Sequence, residues 1–201
     1  MGARVAVLAS GKGSNLQALL DDPAARPSIS LVVSDKEASG ALLRAEDAGV
    51  ATIFLDPAAH EGRAGYDRAL LDVLGIENIE YVVLAGFMRI LSPELVRSYE
   101  GRLLNVHPAL LPSFPGAHPV RDALEWGVKV TGVTVHFVDE EIDHGPIVLQ
   151  EAVAVEPGDD VESLHARIQE VEHRLYPLAV RLLVEGKLKV EGRTVHVLED
   201  A

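Results

Sequence analysis

Through its first half the chain alternates short β-branched runs with segments of helical period, and few architectures accept that alternation. Residues 4–9, 29–34, 52–55, 81–85 and 103–106 read as strands, each an apolar run between turn formers. Between them, residues 14–21 put Leu16, Leu19 and Leu20 on one helical face, and residues 40–48 are expected to turn Leu42, Leu43 and Ala45 inward. A third helix is expected over residues 63–74, and a short one opens at Ser92-Pro93-Glu94, where a Ser cap precedes Pro at the first helical position. Repeated strand–helix–strand units require parallel strands joined by right-handed crossovers. The expected fold is therefore α/β, a Rossmann-like, mostly parallel central sheet with helices on both faces.

The second half changes character. Residues 130–138 alternate Val133, Val135 and Phe137 against Thr134 and His136 and read as a strand, and residues 147–155 follow as another. The longest helix runs from Asp159 or Asp160 to about residue 184, with Pro177 expected to kink or divide it. Residues 187–190 and 194–198 form a hairpin around Gly192, so the C-terminal half carries mixed strands. No internal repeat or linker interrupts the 201 residues, which read as one domain with halves at 1–106 and 107–201.

Composition removes several function classes. With 18 basic against 31 acidic residues the net charge is −13, a field that repels a nucleic-acid backbone. There is no cysteine, hence no disulfide, thiolate metal site or Cys nucleophile. No apolar run approaches the ~20 residues of a membrane helix. The run after Arg4 is too short for a signal peptide, and the expected location is the cytoplasm, away from membranes.

Ligands of open α/β sheets bind outside the carboxyl ends of the strands. Four unusual segments fall at such ends: residues 10–15 (Ser-Gly-Lys-Gly-Ser-Asn), 86–91 (Gly-Phe-Met-Arg-Ile-Leu), 105–108 (Asn-Val-His-Pro) and 139–145 (Asp-Glu-Glu-Ile-Asp-His-Gly). The first is a Gly-rich strand-to-helix turn. It can be simply a tight turn with Ser14 as helix cap, or a cradle for a single phosphate. It is not a Walker A loop, and Leu16 stands where a dinucleotide fingerprint has its third Gly, although Asp35 fits a ribose-binding acid. Asn105 and His107 sit two apart on an extended segment, so both project from one face. An amide donor beside an imidazole can stabilise a developing oxyanion and move a proton, and Asp143 is the carboxylate placed to favour the imidazolium and raise its pKa. By residue type, Phe87, Met88, Ile90 and Leu91 are core residues and Asp139, Glu140 and Glu141 a solvated turn, whereas Arg89 needs a partner. His165, His173 and His196 read as structural or surface groups, and no metal-ligand spacing stands out.

Gly-Lys-Gly-Ser-Asn at 11–15, Val-Leu-Ala-Gly-Phe-Met-Arg-Ile-Leu at 83–91 and Leu-Leu-Asn-Val-His-Pro-Ala-Leu-Leu-Pro at 103–112 closely resemble the phosphoribosylglycinamide formyltransferases, a branch of the folate-dependent formyltransferase family. The resemblance continues through Val-His-Phe-Val at 135–138, Asp143, Glu172-His173 and Tyr176-Pro177. It implies formyl transfer from 10-formyltetrahydrofolate to the amine of 5-phosphoribosylglycinamide in de novo purine synthesis. No metal, nucleic acid or membrane takes part, and the partners are small-molecule substrates with a homodimer as an option. The implied catalytic residues are Asn105, His107 and Asp143. Gly13, Ser14, Asn15, Gln169, Glu170, Val171 and Glu172 are implied for the glycinamide ribonucleotide. Arg63, Met88, Arg89, Ile90, Leu91 and Asn105, with Asp139, Glu140, Glu141, Ile142 and Asp143, are implied for the folate. The first half would then hold the nucleotide phosphate and the second the folate. Lys12, Pro119-Val120 and His144 depart from the family's usual residues; His144 stands where Gly is common.

Other readings share parts of this pattern. A formyltetrahydrofolate deformylase would hydrolyse the same donor, but carries an N-terminal regulatory domain that is not expected before a strand beginning at residue 4. A methionyl-tRNA formyltransferase would add a C-terminal RNA-binding domain, for which this chain is short and acidic. A nicotinamide-dependent oxidoreductase or a non-catalytic nucleotide-binding module requires another use for the Asn-x-His and Asp set.

Overall fold

Val5, Ala6, Val7 and Leu8 are all fully buried, and the strand they form, β1 (Val5–Leu8), lies inside a parallel sheet. The structure, a computed structural model, describes residues 2–198. They fall into two compact units that divide between Leu104 and Asn105, inside strand β5 (Leu103–His107) and just before the 106/107 boundary expected from sequence.

In the N-terminal unit β1 is flanked by β2 (Ile29–Ser34) and β4 (Tyr81–Leu84), and β2 by β3 (Ala51–Phe54), in the order β3-β2-β1-β4. Every one of these pairings is parallel. Helices α1 (Ser14–Asp21), α2 (Gly40–Asp47) and α3 (Gly62–Ile76) make the crossovers, and α4 (Pro93–Ser98) follows β4. The chain moves outward from β1 to β3 and then returns to the other side of β1. The strand order therefore reverses between β1 and β4, the position at which such sheets bind ligands. Ser92 caps α4 as expected, its Oγ accepting from Leu95 N–H.

Two local expectations are corrected here. The cap of α1 is Gly13, in the left-handed region at φ 76°, and not Ser14, which is the first helical residue. A Cβ at position 13 would come within 2.8 Å of Ala41 Cα, so the close approach of α2 also requires glycine. Leu43 is exposed while Ala41, Leu42 and Ala45 are buried. Adjacent Leu42 and Leu43 differ by about 100° around the axis, and the 41–45 pair fixes which of them faces the sheet.

In the C-terminal unit β6 (Val130–Phe137) pairs antiparallel with β7 (Ile147–Ala154), β7 pairs parallel with β9 (Thr194–Val197), and β9 pairs antiparallel with β8 (Leu188–Glu191). These are the expected mixed strands. β6 is buried on both faces from Thr131 onward, so its alternation separates two interior environments rather than core from water. Helix α6 (Val161–Val184) packs on β6 and β7 through Leu164, Ile168, Leu175, Ala179 and Val180. It starts at a capping box in which Asp160 accepts from Ser163 N–H and Ser163 Oγ accepts from Asp160 N–H. Pro177 lies inside this helix and does not divide it; its neighbours Leu175, Tyr176, Ala179 and Val180 are buried, and that packing outweighs the lost backbone hydrogen bond. A further helix, α5 (Pro119–Trp126), follows the proline-rich loop. Its signals are Pro119 at the first position, Val120 and Ala123 on one buried face, and Gly127 at φ 68° after the end.

Candidate functional site

Asn105 and His107 extend from the same face of β5, and Asp143 reaches them from the loop after β6. His107 Nδ1 lies 3.4 Å from Asp143 Oδ2, and Asn105 Nδ2 lies 3.5 Å from Asp143 Oδ1. The three expected catalytic side chains are thus brought together. A fourth joins them: His136 Nε2 is 3.2 Å from Asn105 Nδ2 and 3.7 Å from Asp143 Oδ1. The β6–β7 register shifts between Val135 and His136, an irregularity of the kind that re-aims a side chain. The loop after β5 supplies the remaining contacts. His107 Nε2 lies 2.8 Å from the Phe114 carbonyl, and Gly116 N–H donates to Asp143 Oδ2 at 2.7 Å. Phe114 and Asp143 both sit at positive φ, 54° and 51°, a conformation that non-glycine residues keep only where the surroundings impose it.

Hydrogen-bond chemistry assigns the protons. A carbonyl only accepts, so His136 Nδ1, 2.8 Å from the Phe137 carbonyl, carries hydrogen; Nε2 accepts from Asn105 when the ring is neutral and faces Asp143 as a donor when the ring is charged. By the same argument His107 Nε2 donates to Phe114, and its Nδ1 faces the carboxylate. Burial pushes the His107 pKa down; Asp143 and the Phe114 carbonyl push it up but do not restore it. Asp143 thus acts in the expected direction, and burial outweighs it. For Asp143 burial acts upward, yet the His136 contact, the Gly116 N–H and the His107 charge outweigh it and hold the carboxyl below its ordinary range. At His107, then, burial opposes the imidazolium, while at Asp143 the surrounding contacts favour the carboxylate.

The supporting loops are tied down individually. Thr134 Oγ1 donates to the Ala109 carbonyl at 2.7 Å and accepts from Leu111 N–H at 3.1 Å, while Gln150 Nε2 donates to the Leu111 carbonyl at 2.9 Å. Thr134 and Gln150 are register partners across β6 and β7, so one cross-strand pair anchors the loop that carries Phe114. The next loop closes where Phe137 N–H donates to the Pro146 carbonyl at 2.9 Å. Gly145 is obligatory there: a Cβ would stand 1.9 Å from the Phe137 carbonyl oxygen. Asp139, Glu140, Glu141 and Ile142 lie on this loop with Asp143. Gln169, Glu170, Val171 and Glu172 lie on α6, with Glu172 buried.

In the N-terminal unit the loops after β1 and β4 meet at the order reversal. Ser10 N–H donates to the Gly86 carbonyl at 3.1 Å, and Met88 N–H donates to Ser10 Oγ at 2.9 Å. Gly13, Ser14 and Asn15 open α1 beside them, and the first intrahelical bond runs from Gln17 N–H to the Gly13 carbonyl. Within 86–91 the core reading holds for Phe87 and Leu91 only; Met88 is 76% and Ile90 56% exposed. Arg89 finds its partner in Tyr66, with Cζ 4.4 Å from the ring centroid. Tyr66 and Asp67 of α3 are buried with Asp35, and burial first, then Asp35, pushes the Tyr66 hydroxyl upward. Asp67 also accepts from Ser92 N–H. Arg63 is exposed in the first turn of α3.

An Asn-x-His pair on a strand end with a carboxylate on a neighbouring loop is the kind of set that acyl-group transfer can use. The model of the formyl transferase family matches residues 3–180, and the chain belongs to that family. The chain is 46% identical to a phosphoribosylglycinamide formyltransferase of Escherichia coli, over 92% of this chain and 89% of that one. It is 47% identical to the bovine trifunctional purine biosynthetic protein adenosine-3 over 98% of its own length, and spans 20% of that relative. Among solved structures, glycinamide ribonucleotide transformylase 1 from Symbiobacterium toebii superposes with a TM-score of 0.94 at 46% identity, covering 98% of this chain and 95% of that one. A formyltetrahydrofolate deformylase from Pseudomonas syringae superposes with a TM-score of 0.89 at 29% identity, covering 99% of this chain and 67% of that one.

His136, Tyr66 and the Phe114 carbonyl are the contributors that sequence reasoning does not supply. His136 occupies an alternation that reads as plain strand, and a carbonyl has no sequence signature. Tyr66 lies three residues beyond Arg63 on α3, and only the fold brings it under Arg89. Among the described residues no group of three or more His, Cys, Asp or Glu could hold a metal, and no helix is long and apolar enough to cross a membrane.

Proposed function

We propose that the chain transfers the formyl group of 10-formyltetrahydrofolate to the amine of 5-phosphoribosylglycinamide, giving the formylated ribonucleotide and tetrahydrofolate in purine synthesis. The observation that carries this reading is the Asn105–His107–Asp143 cluster, held by hydrogen bonds at the end of β5 in a chain of the formyl transferase family. The substrate amine attacks the formyl carbon, and negative charge grows on the formyl oxygen. Asn105 Nδ2–H, oriented by His136, stabilises that charge. The attacking nitrogen must lose one proton and the departing folate nitrogen must gain one. A buried His107 that is neutral when the amine attacks is suited to accept the first at Nδ1, its Nε2 hydrogen being held by the Phe114 carbonyl, and to return it to the second, with Asp143 stabilising the imidazolium in between. The lowered pKa favours this shuttle over a His107 that starts protonated.

Binding roles are proposed unit by unit. In the N-terminal unit, Gly13, Ser14 and Asn15 take the ribonucleotide phosphate at the start of α1, and Arg63 with Met88–Leu91 takes the folate. In the C-terminal unit, residues 139–143 contact the folate and Gln169–Glu172 the glycinamide ribonucleotide. Both ligands are anionic and the chain's net charge is −13, so affinity has to come from local donors rather than the overall field. The reading includes a cytoplasmic location and leaves assembly as a homodimer to be measured.

Product analysis with 10-formyltetrahydrofolate, with and without the acceptor, tests the proposal. Formylated ribonucleotide formed only when both are present is the expected result. Free formate released without acceptor would instead indicate the hydrolysis named for the Pseudomonas syringae structure.

A further inference from the structure

The loop that carries Asp143 is fixed at its base by the Phe137–Pro146 hydrogen bond and the Gly145 contact. Its outer part is held differently. His144 Nδ1 lies 2.7 Å from Asp139 Oδ2, and Asp139 Oδ1 accepts from Glu141 N–H at 3.0 Å. Arg193, from the turn between β8 and β9, approaches the same residue from outside the loop. Its Nη2 donates to the His144 carbonyl at 2.6 Å, and its Nη1 lies 3.2 Å from His144 Nε2. A guanidinium only donates, so His144 Nε2 is the acceptor and Nδ1 carries the ring proton, which is the tautomer Asp139 requires. Each contact in the Asp139–His144–Arg193 chain therefore pairs a donor with an acceptor. The charged groups facing the His144 ring are Asp139, Arg193 and, at 3.9 Å, Glu141.

Residue 144 directly follows Asp143, whose backbone is in the left-handed region at φ 51°. Arg193 grips this residue by both ring and carbonyl. It is itself anchored, because the next residue, Thr194, pairs with Ile147 at the point where the loop ends and β7 begins. An exposed ion pair would contribute little. Here the acceptors are a backbone carbonyl and a ring nitrogen on a segment already pinned at its other end, so the contact selects a loop conformation rather than adding bulk stability.

We propose that Arg193 is a positioning residue for Asp143, and that the β8–β9 hairpin serves the reaction by clamping the 139–145 loop through His144. This rests on the role given to Asp143 above. The full-length wild type is compared with Arg193→Ala, Arg193→Lys, His144→Gly and the Arg193→Ala/His144→Gly double variant. Lys189→Ala is the control, because Lys189 pairs with Glu191 inside the same hairpin. Two quantities are read: the His107 ring titration by NMR, and kcat and KM for each substrate.

Arg193→Ala is expected to move the His107 titration midpoint downward, because the carboxylate that raises it is no longer held in place. Its kcat should fall roughly three- to tenfold, short of the ~10²-fold cost of misplacing a reacting group by 1 Å, with KM for the ribonucleotide unchanged. Arg193→Lys should recover part of both changes, since an ammonium can still reach the carbonyl. The double variant should be no worse than Arg193→Ala, because the two changes break one linkage. An unmoved His107 midpoint in Arg193→Ala overturns the inference whatever kcat does, and so does the same shift in Lys189→Ala. A wild type that forms no formylated ribonucleotide would sink the functional reading instead, with the NMR comparison still deciding the clamp.

Discussion

Asp143 accepts from Gly116 N–H, faces both histidines and lies beside Asn105, so its charge organises the whole cluster. Asp143→Asn keeps the shape and removes the charge. Without it only the Phe114 carbonyl opposes the downward effect of burial on His107, so the imidazolium should form only at still lower pH. We expect kcat to drop on the order of 10²-fold and the acid limb of the pH–rate profile to move to lower pH. A profile of unchanged shape would show that the carboxylate does not act through His107. Asn105→Ala removes the donor proposed for the developing oxyanion and should cost on the order of 10²–10³ in kcat with little change in KM. These side chains were legible because chemistry-bearing residues stand out in apolar runs: Asn105 and His107 interrupt Leu-Leu-x-Val, and Asp143 closes an acidic turn. His136 was not, because its placement follows from a register shift in β6. The upward pull of Asp143 on His107 was legible, but the burial that outweighs it was not, because sequence names a neighbouring carboxylate and not the depth of the ring.

The strands and helices that present these side chains followed from period and punctuation wherever one face had to be buried. Residues 14–21 and 29–34 emerge at their expected bounds, because Leu16, Leu19 and Leu20 cannot all be buried in another register and Leu31, Val32 and Val33 form an unbroken buried run within Ile29–Ser34. Helix α5 was hidden by length: eight residues after a proline-rich loop supply barely two turns of periodicity. Tethers between loops and strands are invisible for another reason, since Thr134 looks like any strand Thr until Ala109 and Leu111 are placed against it. That tether yields a prediction. Thr134→Val is nearly isosteric but strands the Ala109 carbonyl and the Leu111 N–H in the interior, each costing about 1–3 kcal/mol. Urea denaturation should show a loss of about 2–4 kcal/mol for Val, and far less for Thr134→Ser, which keeps the hydroxyl. Equal losses in the two variants would assign the effect to packing of the methyl group instead.

The stability of the whole chain toward acid divides between carboxylates and histidines that titrate in separate ranges. Asp143, Glu151, Asp159 and Asp160 are all held below the ordinary carboxyl range, so the stability they contribute is present above about pH 4 and is lost only as pH falls through their lower folded values. His107 and His173 behave in the opposite sense. Burial lowers both from the ordinary value of 6.5, so below that pH the unfolded chain takes up protons that the folded chain resists. The unfolded state then binds more protons, and stability falls as pH falls, beginning near the unfolded histidine value and continuing until the folded rings titrate. The melting temperature of the wild type should therefore decline between about pH 7.5 and about pH 5, before any shifted carboxylate is involved. A His107→Gln/His173→Gln variant has lost the two histidines that resist protonation in the folded chain, and its melting temperature should be distinctly flatter over the same interval, even if lower at neutral pH. Parallel curves for the two proteins would mean that these rings protonate as readily in the folded chain as in the unfolded one. The neutral resting state of His107, from which the proposed proton shuttle starts, would fall with that result.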